Sequence, residues 1–150
     1  MSLVNLGLAG LNESGAVVAM TLYLSWFAEA QGLSGDVAGA LLTVARALEV
    51  NPEELAWRPD ALRIRGELWL TSGKTDAAEA DFHEAITLAK QIAAKALELR
   101  ASMSLARILR MRGDFAEARE LIAPLLASFT EGFDTTDLKE ARALCEPLAT

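Results

Sequence analysis

Apolar residues recur along this chain with the spacing of helices that bury one face. In the middle of the chain, Leu62, Gly66, Trp69 and Leu70 fall at i, i+4, i+7 and i+8. The same helical spacing continues in three further stretches, at Leu24, Phe27 and Ala28, at Ala78, Phe82, Ala85, Ile86 and Ala89, and at Leu99, Met103, Ala106 and Leu109. No run of β-branched residues alternates with polar ones, so no strand is predicted. The pattern predicts an all-α protein.

The helical pattern is organised as a repeat. A glycine followed five residues later by an alanine occurs three times, in residues 35–40, 73–78 and 113–118, and the glycines are 38 and 40 residues apart. Each glycine follows one apolar helical run and precedes another. Glycine adopts the left-handed conformation that ends many helices, and alanine lets the next helix pack closely. We therefore predict three helix–turn–helix units, over about residues 16–50, 52–93 and 95–130, as one array within residues 1–150.

Local signals place the helix starts of the middle unit. Asn51 is a favourable cap ahead of Pro52, which predicts one short helical turn over residues 52–57. A main helix then starts from about Pro59. Asp76, with Glu79 three residues later, predicts the start of the unit's second helix.

The helix boundaries after residue 90 have fewer glycine or proline signals than those before it. The repeat requires a turn between Ile92 and Lys95, although no glycine or proline stands there. Gly132 is predicted to end the sixth helix, with Phe129 and Phe133 clamping the next helix to its neighbour. That last, capping helix is predicted over about residues 135–148. Its apolar stripe is Leu138, Ala141, Leu144, Cys145 and Leu148.

The middle unit resembles the tetratricopeptide repeat. Gly66 and Trp69 stand at the small and aromatic positions of that repeat's first helix. The turn, small, aromatic and small positions that follow are held by Gly73, Ala78, Phe82 and Ala85. The resemblance implies a tetratricopeptide-like right-handed helical solenoid of about three helix pairs and a C-terminal capping helix.

A more specific resemblance covers about residues 7–148. Residues 62–68, 99–107 and above all 129–141 (Phe-Thr-Glu-Gly-Phe-Asp-Thr-Thr-Asp-Leu-Lys-Glu-Ala) are similar to the C-terminal repeat region of large bacterial signalling ATPases. Those proteins carry an adenylate or guanylate cyclase domain, or a winged-helix domain, before an ATPase domain and many repeats. The resemblance implies that this chain is the terminal part of a longer array. Its implied role is to sense a partner or a state and to control the upstream domain.

Composition and charge narrow the function classes. Of 150 residues, 52% are hydrophobic and 23% are charged, which suits one compact unit. The net charge is −7, without the basic footprint of a nucleic-acid binder. Residues 58–112 nevertheless hold ten basic and seven acidic residues, so an acidic partner is conceivable there. Neither a signal peptide nor a membrane span is evident, and we expect a cytoplasmic protein that contacts no membrane.

The candidates for chemistry are weak. Ser72-Gly73-Lys74-Thr75 imitates the end of a phosphate-binding loop, but Leu68 occupies the place of the loop's first glycine. His83 is the single histidine and, even with Glu79, supplies too few ligands for zinc. Cys145 is the single cysteine and suits core packing. We predict no enzyme activity, cofactor or metal.

Aromatic residues at helical spacing have two interpretations. Trp26, Trp57 and Trp69 either stack on a ligand or belong to the core. Tryptophans in amphipathic helices are more often core residues, so the core is the favoured interpretation.

The best candidates for a binding site follow from the resemblance. The tetratricopeptide alignment assigns six residues to the concave face: Arg63, Glu67, Arg100, Met103, Arg107 and Arg110. The arginines at 100, 107 and 110 share one helical stripe and have the geometry to pair with carboxylates of a peptide or a neighbouring domain. The alternative is that they pair within the chain, with Glu67, Glu98 or the acidic last helix.

The expected function is non-catalytic protein–protein interaction, with a protein or peptide partner, an acidic one among the candidates, or with other domains of the parent protein. One alternative is self-association as a homodimer through the apolar N-terminal end. That end comprises Leu3, Val4, Leu6, Leu8, Leu11, Val17 and Val18. A second alternative is a peptide or small-molecule sensor that binds its ligand between helices.

Overall fold

A computed structural model describes residues 19–146. This part of the chain forms seven α-helices and no strand, which confirms the all-α prediction. The helices are α1 (Met20–Leu33), α2 (Val37–Val50), α3 (Arg58–Thr71), α4 (Thr75–Gln91), α5 (Lys95–Arg112), α6 (Phe115–Ala127) and α7 (Thr136–Cys145). No helix in this range is both long and apolar enough to cross a bilayer.

The repeated glycines make the turns within the helix pairs, as predicted. Gly35, Gly73 and Gly113 have φ angles of +93°, +75° and +92°, in the left-handed region. After each glycine, the next backbone N–H donates to a carbonyl five residues earlier, for example Lys74 N to Trp69 O at 2.9 Å. This bond is the mark of a Schellman turn, which ends one helix and reverses the chain. Consecutive helices therefore pack against each other as hairpins.

The turn between α4 and α5 uses an alanine where the others use glycine. Ala93 has a φ of +55°, and Ala94 N donates to Ala89 O at 2.9 Å. The turn required between Ile92 and Lys95 is thus present and has the same hydrogen bond. Its conformation carries a steric cost for any residue with a Cβ.

Replacing Ala93 with glycine should raise the free energy of unfolding by about 0.5–1 kcal/mol. The left-handed conformation costs an L-residue about 1–2 kcal/mol, and the greater freedom of unfolded glycine offsets part of that gain. Denaturant titration of the two proteins measures the difference. Gly113→Ala is the matched control and should shift the stability in the opposite direction. A less stable Ala93→Gly protein would contradict the assigned backbone conformation.

The first helices of successive units stack on one another. Besides packing on its neighbours in sequence, α1 contacts α3, α3 contacts α5 and α5 contacts α7. The core lies along the seams between successive helices, where Ala40, Ala78 and Ala118 are fully buried. The ring of Phe82 in α4 lies directly against Gly66 in α3, where a Cβ would collide with it. The first helices of the units thus form one continuous layer.

One predicted helix start and one predicted helix cap are wrong. Residues 52–57 form no helical turn; a β-turn closes there instead, with Glu54 N donating to Asn51 O, and α3 begins at Arg58. A single helical turn has too few hydrogen bonds to offset its nucleation. Asp76 does not cap α4, because Lys74 holds the N-cap position and no side chain bonds there. The preceding glycine turn fixes the helix start ahead of Asp76.

The C-terminal part differs from the prediction in three details. The sixth helix ends at Ala127, and Gly132, with a φ of +74°, lies in the loop that follows. The last helix ends at Cys145, since Glu146 is extended. Phe129 packs against the core, whereas Phe133 is exposed and its ring lies 5.3 Å from the guanidinium of Arg142. Leu138 and Ala141 are buried as predicted. Leu148 lies outside the described residues.

The core interpretation of the tryptophans is wrong for two of them. Trp26 is 53% exposed and Trp57 is 37% exposed. Trp69 is half-buried, and Lys74 Nζ lies over it, 4.7 Å from the centre of the Trp69 ring. The apolar end at residues 3–18, predicted to drive self-association, lies outside the described residues.

Candidate functional site

The predicted site residues lie on the layer of first helices, with Arg63 and Glu67 on α3 and the other four on α5. An open groove of about 280 Å³ runs across this layer. Its lining comprises Arg63, Arg100, Met103 and Arg107 from the predicted set, together with Glu29, Ser104, Asp137 and Glu140. Glu67 lines an adjacent groove of about 340 Å³ between α1 and α3, which also includes Arg63. We call Glu29, Arg63, Glu67, Arg100, Arg107 and Glu140 the charged face.

Arg63 ties α3 to α1. Its guanidinium donates to Asp60 at 2.8 Å, one turn earlier on the same helix, and to Glu29 at 3.1 Å. The Arg63 side chain is only 16% exposed. Burial lowers the pKa of Arg63, but the two carboxylates outweigh it and leave the pKa raised. Arg63 is therefore a fixed, permanently charged part of the groove wall.

Arg100 and Arg107 tie α5 to α7. Arg100 Nε lies 2.7 Å from Asp137 Oδ2, and Arg107 Nη2 lies 3.0 Å from Glu140 Oε2. Arg107 also approaches Glu67 at 4.0 Å. Both guanidinium side chains remain 44% exposed. The pairing within the chain that was left as an alternative is thus present, and it leaves both cations accessible to solvent.

Arg110 and Met103 act differently from the other predicted residues. Arg110 Nη1 donates to the carbonyls of Leu144 and Glu146 at 2.7 and 3.1 Å, at the C-terminus of α7. The guanidinium satisfies carbonyls that have no partner within the helix, and its positive charge complements the helix dipole. Met103 is buried and forms part of the groove floor.

Sequence reasoning missed Glu29, which lines the groove, and Asp60, which binds Arg63. Asp60 lies three residues before Arg63 and was detectable as a helical neighbour. Glu29 holds the position in the first unit that Glu67 holds in the second and Arg107 in the third, counted from the turn glycines. The repeat frame would have found Glu29. Asp137 was predicted only as part of the acidic last helix, as a partner within the chain; its place in the groove follows from the stacking of α7 on α5, for which no sequence spacing gives a signal.

Two further arginines form ion pairs away from the charged face. Arg65 binds Asp81 with two bonds of 2.7 and 2.6 Å and joins α3 to α4. The hydrogen bond to Asp81 raises the pKa of Arg65 against the opposing effect of burial. Arg112 binds Glu79 with two bonds of 3.1 and 2.7 Å and joins α5 to α4. Arg112 is as exposed as Arg107, so it serves as a matched control for the charged face.

The residues singled out for chemistry are not assembled into a reactive site. No group of three or more His, Cys, Asp or Glu side chains suited to a metal occurs between residues 19 and 146. Burial raises the pKa of the Cys145 thiol, which opposes thiolate formation, although Arg119 and Arg110 act the other way. The segment 72–75 follows a helix rather than the strand that a phosphate-binding loop requires.

No protein-family model matches this chain, and no curated protein matches it. A function for this chain therefore has to be inferred from the geometry of the charged face.

Proposed function

We propose that this chain is a tetratricopeptide-like right-handed solenoid that binds a protein or peptide partner without catalysis, as the C-terminal part of a bacterial signalling regulator. The stacking of the first helices and the glycine turns support the solenoid. Such arrays offer an extended surface for binding. The partner binds across the charged face.

The observation that carries this proposal is the contact between α5 and α7. The acidic side chains Asp137 and Glu140 of one helix lie on Arg100 and Arg107 of another. This contact is an internal example of an acidic helix bound to the face. It supports a partner segment that presents carboxylates at helical spacing.

The exposure of these ion pairs makes exchange feasible. Exposed ion pairs contribute only about 0–1 kcal/mol each, because water solvates both partners well. A partner carboxylate can therefore replace Glu140 or share Arg107 at small cost. Paired hydrogen bonds from a guanidinium to a carboxylate then supply orientation as well as attraction.

Binding of a fluorescent, helical, glutamate-rich peptide tests the proposal. Fluorescence anisotropy should show binding that weakens as salt is raised, because salt screens exposed charges. The double variant Arg100→Gln/Arg107→Gln should weaken binding by about three- to tenfold, since two exposed ion pairs contribute about 0–1 kcal/mol each and about 1.4 kcal/mol corresponds to tenfold. Circular dichroism verifies that the variant remains folded.

Arg112→Gln is the control, because this arginine has the same exposure and an equally close carboxylate on another surface. It should leave the affinity within about twofold. An equal loss in Arg112→Gln would mean that the peptide responds to overall charge and not to the charged face. Absence of binding at low salt would refute an acidic partner.

A further inference from the structure

The groove between α1 and α3 has an apolar interior. Its volume is about 340 Å³, and its apolar lining consists of Gly32, Leu33, Ile64 and Leu68. Leu33, at the end of α1, is 87% exposed, whereas the two residues of α3 are buried. We propose that this groove binds a leucine side chain of the same acidic partner segment that pairs with Arg107. This inference rests on the proposed function and adds an apolar anchor to the partner.

The apolar interior results from two residues that differ from the rest of the array. A Cβ on Gly32 would lie 2.6 Å from Cδ2 of Leu68, so the Leu68 side chain occupies the space that the glycine leaves on α1. Counting back from the turn glycines, the equivalent of Ile64 in α5 is Ser104, whose hydroxyl donates to Glu67. A buried isoleucine thus stands between α1 and α3 where a polar contact stands between α3 and α5.

This apolar groove is continuous with the groove that holds the arginines. Glu29 and Arg63 line both of them. Arg107 approaches Glu67 of α3 at 4.0 Å, so its guanidinium reaches from α5 toward α3. Packed helices lie about 8–10 Å apart, and the apolar groove and this guanidinium are therefore separated by about one helix spacing. One partner segment is long enough to fill the groove and to pair with the arginine.

The separation sets the spacing of the two side chains in the partner. A helix rises about 1.5 Å per residue, so residues seven positions apart lie about 10 Å apart. Residues at this spacing also share one face of the helix. A leucine seven residues from a glutamate therefore matches the distance from the apolar groove to Arg107. A leucine moved by two positions points to another side of the helix.

Helix α7 already combines an apolar anchor with carboxylates. Asp137 and Glu140 pair with arginines of α5, and Leu138, between them in sequence, is 3% exposed. Leu138 and Leu99 of α5 line the same seam. Exposed ion pairs contribute little by themselves, whereas burial of apolar area contributes in proportion to that area. A partner that binds the charged face from outside needs the same apolar supplement.

The experiment measures the binding of three helical, glutamate-rich peptides to the full 150-residue chain by fluorescence anisotropy. The first peptide has a leucine seven residues from a glutamate, and the second has an alanine at that position. The third has the leucine moved by two positions. The first peptide should bind about five- to tenfold more tightly than the other two, because only its leucine is buried in the groove.

A substitution at the wall of the groove identifies where the leucine binds. Leu33→Ala should reduce the advantage of the first peptide to about twofold and leave the affinity for the alanine peptide unchanged. Leu42→Ala is the matched control, because Leu42 is 76% exposed and α2 contributes no residue to either groove. This control should keep the full advantage. Circular dichroism verifies that both variants remain folded.

The outcomes distinguish this inference from the proposed function. Equal binding of the leucine and alanine peptides, with salt-sensitive binding retained, would overturn the apolar anchor and leave the charged face as the binding surface. An advantage that survives Leu33→Ala, that Leu42→Ala removes equally, or that the third peptide shares would mean that the leucine binds elsewhere. A dimer in light scattering that Leu33→Ala dissociates would identify a second copy as the occupant. Absence of binding by all three peptides at low salt would refute both proposals.

Discussion

Replacing Phe82 with alanine is expected to lower the free energy of unfolding by about 3–5 kcal/mol, the usual range for a buried phenylalanine. The Phe82 side chain is fully buried, and its ring fills the space that the missing side chain of Gly66 leaves on α3. Truncation opens a cavity in the middle of the array, where α3 and α4 meet. Domains of this size are stable by about 5–15 kcal/mol in total, so the loss is large. Urea titration followed by circular dichroism measures it.

Phe115→Ala is the matched control for Phe82→Ala. Phe115 is 41% exposed at the start of α6, and its ring lies 5.5 Å from the guanidinium of Arg110. The same truncation there should cost about 1–2 kcal/mol, clearly less than at Phe82, because part of that side chain already lies in water. Equal losses at the two positions would contradict the seam between α3 and α4.

The parts of the fold that sequence predicted are those decided within a few residues. A glycine at the end of an apolar helical run ends the helix by its own backbone freedom, as at Gly35 and Gly73. The helical period placed Phe82 on a buried stripe, whereas its contact with Gly66 is seen only in the structure. The turn at Ala93 was predicted from repeat length alone, because the local residues give no signal for it.

Errors arose where a local preference competes with a neighbouring structure. Asp76 is a good cap by residue type, but the turn at Gly73 starts α4 before it. Trp26 is a residue type that usually lies in a core, yet it is 53% exposed, because no described helix covers that face of α1. Helical periodicity shows which residues share a face, and it does not show whether a neighbour covers that face.

In the candidate site, too, the sequence predicted the arginines but not the carboxylates that each of them meets. The repeat frame placed the arginines of α5 on one stripe, and Arg100 and Arg107 do line one groove. Their partners Asp137 and Glu140 come from a helix of different spacing, so only the stacked structure pairs them. Whether an arginine faces an internal or an external carboxylate depends on this stacking, which is why the sequence left both alternatives open.

Deleting residues 134–150 is expected to destabilise the protein by about 2–4 kcal/mol and to promote aggregation. Helix α7 buries Leu138 and Ala141 against the array, and its removal exposes the apolar surface of α5 beneath them. Arg100 and Arg107 lose their carboxylate partners, and Arg110 loses the carbonyls of Leu144 and Glu146. A thermal scan and light scattering measure the two effects.

The control deletion removes only residues 147–150, which follow the end of α7, and should leave both the melting temperature and the monomer content unchanged. The ion pairs alone cannot account for a large loss, because exposed pairs contribute little. The Asp137→Asn/Glu140→Gln variant should therefore lower stability by less than about 1 kcal/mol while leaving Leu138 in place. This comparison separates apolar capping from charge pairing. If the protein lacking residues 134–150 stays monomeric and melts at the same temperature, then α7 is not a structural cap. The acidic helix α7 would in that case be the candidate element for binding a partner.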